Sequence, residues 1–104
     1  MLAALVTASA GNAFLAAIRS CIKHCVLVHI SENDRSTPGK GGVNWKANWE
    51  NLKKIGYKDL LVIEAFGQGL PALAAATKIW RKMFPDEETL AKDGLAFMKQ
   101  SWES

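Results

Sequence analysis

The chain has 104 residues, 49% of them hydrophobic and 22% charged, the make-up of one folded domain rather than of a disordered segment. Its net charge of +3 comes from 13 basic and 10 acidic residues mixed along the chain, so no stripe of one sign offers itself to a nucleic acid. Cys21 and Cys25 are too few for a disulfide framework and fit a reducing cytoplasm.

The first 18 residues carry no charged side chain. A secretory signal needs a basic stretch ahead of its apolar run, and none precedes Leu2. A membrane span needs about 20 strongly apolar residues, whereas this segment is mostly Ala interrupted by Thr7, Ser9, Gly11 and Asn12. It reads as a buried, Ala-rich helix. Over residues 12–23 the spacing of Phe14, Leu15, Ile18 and Ile22, with Arg19 and Lys23 on the polar side, predicts a helix ending near His24.

CVLVHI, Cys25 to Ile30, is short, apolar and rich in β-branched residues, the pattern of a strand buried on both faces of a parallel sheet. The polar run Ser31 to Asn44 follows, and Pro38, Gly39, Gly41 and Gly42 make it a long loop. Trp45, Trp49, Leu52 and Ile55 recur at helical spacing up to Gly56, which supplies a left-handed stop. LLVIEA, Leu60 to Ala65, is a second buried-strand run and contains a carboxylate, Glu64. Pro71 opens a helix through about Met83, and Pro85 with Asp86, Glu87 and Glu88 opens another running towards Trp102.

Strands alternating with helices imply the α/β class, with parallel strands and right-handed crossovers. Ionisable residues at the ends of such strands are where barrels and open α/β sheets collect catalytic groups. Because adjacent strands lie about 5 Å apart, His29 and Glu64 are able to converge on one divalent cation. On spacing alone, a histidine in an apolar run is more often a hydrogen-bonded core residue. Two strands leave two edges that must be covered, paired with another chain, or exposed.

The stretch VHISENDRSTPGKGGVNW, Val28 to Trp45, resembles the loop after the seventh strand in the D-tagatose/D-psicose 3-epimerase family of xylose-isomerase-like barrels. LKKIGY (Leu52 to Tyr57) followed by LVIEAF (Leu61 to Phe66) is similar to that family's seventh helix and eighth strand. The resemblance continues through LAAATKIWR, Met83-Phe84-Pro85 and GLAFM, and so covers residues 18–98. It implies a single partial domain over residues 1–104: the C-terminal portion of a TIM (β/α)8 barrel, about two βα units with flanking helices, incomplete.

The same resemblance implies a metal-dependent C3 epimerisation of a ketose. His29 corresponds to a metal ligand, Glu64 to the carboxylate that binds metal and exchanges the substrate proton, and Arg35 to a substrate-binding arginine. A cation such as Mn²⁺, Mg²⁺ or Co²⁺ suits imidazole and carboxylate donors and polarises a ketose carbonyl. The family takes a further Glu and Asp, and a second histidine, from strands without counterpart here. The expectations are therefore poor metal binding, no turnover by this chain alone, and a truncated or frame-shifted reading frame, since residues 1–13 do not resemble the family's preceding segment. Alternatives are a non-catalytic remnant, self-associating or partner-bound through its strand edges, and a hydroxypyruvate or inosose isomerase of the same barrel type.

Other features have plainer readings. Cys21, His24 and Cys25 form a C-x-x-H-C cluster lacking the second pair that a zinc site needs. Glu32 and Asp34 have the option of orienting His29 or Arg35, but loop carboxylates are usually solvated, and that is the expectation. Trp45, Trp49 and Trp80 are expected to pack helices on the sheet rather than line a sugar pocket. Asp86, Glu87 and Glu88 suit a helix N-terminus.

Overall fold

A computed structural model describes residues 2–6, 16, 20 and 24–104. Strand β1 (Leu2–Val6) is followed by β2 (Cys25–Ile30), helix α1 (Trp45–Lys54), β3 (Leu60–Ile63), α2 (Pro71–Ala76) and α3 (Glu87–Glu103). The three strands form one parallel sheet in the order β1-β2-β3. This confirms the α/β class, with β2 paired along both edges.

Leu2–Val6 is a strand, not the start of an Ala-rich helix. Its backbone pairs with β2, Leu5 opposite His29 and Val6 opposite Ile30, and that ladder outweighs the helical preference of Ala3 and Ala4. The helix expected over residues 12–23 lies outside the described residues, apart from Ala16 and Ser20.

In β2 the alternation of side chains sends Val28 and Ile30 into the core, where both are fully buried. Leu61 and Ile63, their partners on β3, pack against the same core with Trp45, Trp49, Leu52, Tyr57 and Met98 from beyond the sheet. The opposite face is open: Leu60 is 66% exposed and Val62 39%. The expectation of burial on both faces therefore fails for β3, because the described helices cover one side of the sheet.

Helix α1 starts where the Asn44 side chain accepts from the Ala47 N–H at 3.1 Å. It ends in a Schellman turn, with Gly56 at φ 72°, its N–H on the Lys53 carbonyl and the Tyr57 N–H on that of Leu52. Aromatic contacts tie it to α3. Trp45 stacks on Trp49 with ring centroids 5.2 Å apart, and the edges of Phe97 and Trp102 meet Trp45 and Trp49 at 6.1 and 5.5 Å.

Helix α2 is shorter than its sequence suggests, ending at Ala76 instead of near Met83. Lys78 takes φ 60°, and the Lys78 and Ile79 N–H groups close back on the Ala75 and Ala74 carbonyls. Lysine thus fills a left-handed position usually held by Gly or Asn. Trp80 consequently leaves the helix and is 82% exposed with Arg81 over its ring, so the expected packing role is wrong for Trp80 and right for Trp45 and Trp49. Helix α3 starts at Asp86, whose carboxylate accepts from the N–H and hydroxyl of Thr89 at 2.7 and 2.9 Å. Among the described residues no helix is long and apolar enough to cross a membrane.

Candidate functional site

The C-terminal ends of β2 and β3 bring the three singled-out residues together. His29 is the penultimate residue of β2, opposite Val62, and projects from the face away from Val28 and Ile30. Glu64 directly follows β3, held to β2 by its N–H on the Ile30 carbonyl at 2.9 Å. These placements bridge the 35-residue gap, so that His29 Nδ1 donates to Glu64 Oε2. Arg35 arrives from the loop after β2 and donates through Nη1 to the other oxygen, Glu64 Oε1, at 2.8 Å and to Ser31 Oγ at 3.0 Å. All three side chains remain partly open, at 33% exposure for His29, 30% for Arg35 and 23% for Glu64.

Residues not singled out from sequence complete the cluster. Phe66 lies under the Arg35 guanidinium at 5.2 Å, and its N–H bonds the Arg35 carbonyl at 3.1 Å. Its signal in the sequence was its place two residues after Glu64, which extended backbone puts on the same side. Ser31, four residues before Arg35, is fully buried. Arg35 itself has φ 65°, a left-handed conformation unusual for a long side chain.

Glu32 corrects the sequence reading most sharply. It is fully buried, and its carboxylate accepts from Gly39 N–H at 2.8 Å, Val43 N–H at 3.2 Å and the Trp45 indole N–H. Asp34 is closer to expectation, at the wall of a cleft it shares with Arg35, Trp80 and Arg81. Partial burial pushes its carboxyl up, but hydrogen bonds from the Ser36 hydroxyl and amide, with Arg81 at 3.3 Å, outweigh this and hold it below the usual carboxylate range.

A metal would have to displace the proton that His29 Nδ1 shares with Glu64 Oε2, and would then meet one imidazole and one carboxylate donor, a pair that fits a borderline divalent cation but fills a minority of its positions. Among the described residues no three His, Cys, Asp or Glu side chains gather into a fuller set. Of the C-x-x-H-C cluster, Cys21 lies outside the described residues and His24 is exposed.

Parallel strands β2 and β3, joined through α1 and with ionisable groups gathered at their C-terminal ends, have the βα arrangement that (β/α) barrels and open α/β sheets use to build sites. The chain superimposes on a solved L-ribulose 3-epimerase with a TM-score of 0.74 and 34% identity, covering 86% of this chain and 31% of that one. It is 33% identical over 81 residues to a probable ketose 3-epimerase of Synechocystis sp., covering 78% of this chain and 28% of the relative. It is 35% identical over 68 residues to the D-psicose 3-epimerase of Enterocloster bolteae, covering 64% of this chain and 23% of the relative. No family model matches the sequence. The chain is a homologue of the ketose 3-epimerases and corresponds to a C-terminal part of their TIM barrel. It spans less than a third of the length of these relatives.

Proposed function

We propose that this chain supplies one side of a ketose 3-epimerase site: His29 and Glu64 as two ligands of a divalent cation, Glu64 as the proton-exchanging carboxylate, and Arg35 as the group holding substrate oxygens. The observation carrying this reading is the convergence of all three at the C-terminal ends of adjacent parallel strands. Mn²⁺, Mg²⁺ or Co²⁺, when bound, polarises the C2 carbonyl of a ketose and acidifies the C3 proton. Glu64, partly open to solvent, accepts that proton on one face of the sugar and is held in place by Arg35 and His29. Arg35 offers planar N–H donors to the substrate oxygens, with Phe66 fixing its plane. Inversion needs a second carboxylate on the opposite face, and a divalent cation needs about six ligands, so this chain by itself turns nothing over. A cytoplasmic setting accompanies the reading.

The test is complementation. The purified chain with Mn²⁺ is expected to leave D-fructose, D-tagatose and L-ribulose unchanged. Co-expressed with the N-terminal two thirds of the Synechocystis relative, it is expected to restore C3 epimerisation, and Glu64→Gln is expected to abolish it. Turnover by the chain alone, or a stable but inactive complex, overturns the proposal. A second reading, a non-catalytic self-associating remnant, is favoured by the open apolar face at Leu60 and Val62. Sedimentation of the isolated chain distinguishes a monomer from an assembly.

A further inference from the structure

The loop between β2 and α1 has little regular structure, yet it delivers Arg35 to Glu64. A buried carboxylate explains how, and we infer that Glu32 is the positioning residue for Arg35. This inference rests on the substrate-holding role proposed above.

A fully buried carboxylate is costly unless donors surround it. Three N–H groups from the far end of the loop, those of Gly39, Val43 and the Trp45 indole, converge on Glu32, while among the described residues it forms no ion pair. The chain from residue 39 to residue 45 is thereby wrapped around one side chain. The packing is tight, because a Cβ at Gly41 would collide with Glu32 Oε2 and lie 2.9 Å from Asn33 Oδ1. Next to it, the Asn33 side chain accepts from Gly42 N–H at 2.7 Å and reinforces the fold-back.

The backbone of Glu32 acts on Arg35 directly. Its carbonyl accepts from the Arg35 N–H at 3.1 Å, closing a turn in which Arg35 takes its left-handed φ. A left-handed arginine persists where its surroundings over-determine it. On one side the turn is clamped by the buried Glu32, and on the other by the Phe66 N–H on the Arg35 carbonyl at 3.1 Å. Glu32 touches neither His29 nor Glu64 by any hydrogen bond among the described residues, so it acts through Arg35 and the loop.

Glutamine at position 32 keeps the shape but turns an NH₂ towards at least one inward N–H donor, leaving it unpaired. In Glu32→Gln, amide exchange at Gly39 and Val43 is expected to accelerate about tenfold or more. The Trp45 indole and Arg35 side-chain N–H resonances should shift, while α3 amides stay unchanged. In the complemented enzyme the same variant should raise KM for ketose more than it lowers kcat, a split that mere loss of stability does not produce. Gly41→Ala displaces the carboxylate without removing it, and should shift the Arg35 resonance in the same direction. If Glu32→Gln does not fold, Gly41→Ala decides. An Arg35 resonance at its parent position in a folded variant overturns the inference. A shifted resonance without epimerisation by the complex upholds the positioning role and overturns the functional reading on which its purpose rests.

Discussion

Arg35 reaches Glu64, 29 residues away, from a backbone that is itself left-handed: its φ is 65° and its Nη1 lies 2.8 Å from Glu64 Oε1. The two facts oppose each other energetically. The charge-assisted bond is partly exposed, so solvent screening limits it to about 1 kcal/mol, and the left-handed backbone costs a non-glycine residue about 1–2 kcal/mol. Arg35→Ala keeps the strain and loses the bond, whereas Arg35→Gly loses both. Urea unfolding should therefore find Arg35→Gly more stable than Arg35→Ala by about 1 kcal/mol; equal midpoints would remove backbone strain from this site.

Metal binding is the second measurable consequence. A ligand that binds the folded state alone raises the unfolding temperature in proportion to the logarithm of its concentration over Kd. On the proposed reading His29 and Glu64 offer two donors of the about six that a divalent cation takes, so Mn²⁺ added to the isolated chain is expected to leave its thermal midpoint within error of an EDTA control. The complex with a complementary barrel segment should lose midpoint on EDTA treatment. Glu64→Gln in that complex should make the two conditions coincide.

Strands β2 and β3 were legible from apolar, β-branched runs, and the end of α1 from Gly56, because local chemistry decides both. What escaped depends on distant parts of the chain. Leu2–Val6 is a strand because β2 lies beside it, which alanine content conceals. Helix α2 stops at a left-handed lysine, for which no Gly or Asn gave notice. At the site, His29, Arg35 and Glu64 were identified by resemblance, whereas Glu32 looked like an ordinary loop carboxylate until the loop closed over it. Conversely, Leu60 and Val62 have the apolar character of a closed barrel interior and stand exposed in three strands.

Acid sensitivity follows from two carboxyls. Asp86 is held below its ordinary value near 3.8 by the Thr89 N–H and hydroxyl, and Asp34 is also lowered, the bonds from Ser36 and the Arg81 charge overriding its burial. With folded values below unfolded ones, the unfolded chain binds more protons in the acidic range, so stability rises with pH there. The contribution is complete above the unfolded value and fades as pH falls through the depressed folded values. Asp86→Asn retains an N-cap acceptor but cannot titrate. Between about pH 5 and about pH 2 its urea midpoint should fall less than that of the parent, and parallel slopes would show that Asp86 is not a source of the acid dependence.

Two tryptophans separate packing from mere presence in a periodic pattern. Trp49 is 3% exposed, stacked on Trp45, met edge-on by Trp102, and donates its indole N–H to Ser101 Oγ at 2.9 Å. Removing it opens a cavity between α1 and α3, while Ser101 Oγ keeps its bond to the Phe97 carbonyl, so Trp49→Ala should cost about 3–5 kcal/mol, chiefly through lost packing. Trp80 stands 82% exposed beyond the end of α2 with Arg81 over its ring. A surface truncation of that kind changes stability by about 0.5 kcal/mol or less, so Trp80→Ala should leave the urea midpoint almost unmoved. A large loss for Trp80→Ala in the isolated chain would mean that its ring is covered in solution, and sedimentation of the variant beside the parent would show whether another copy provides that cover.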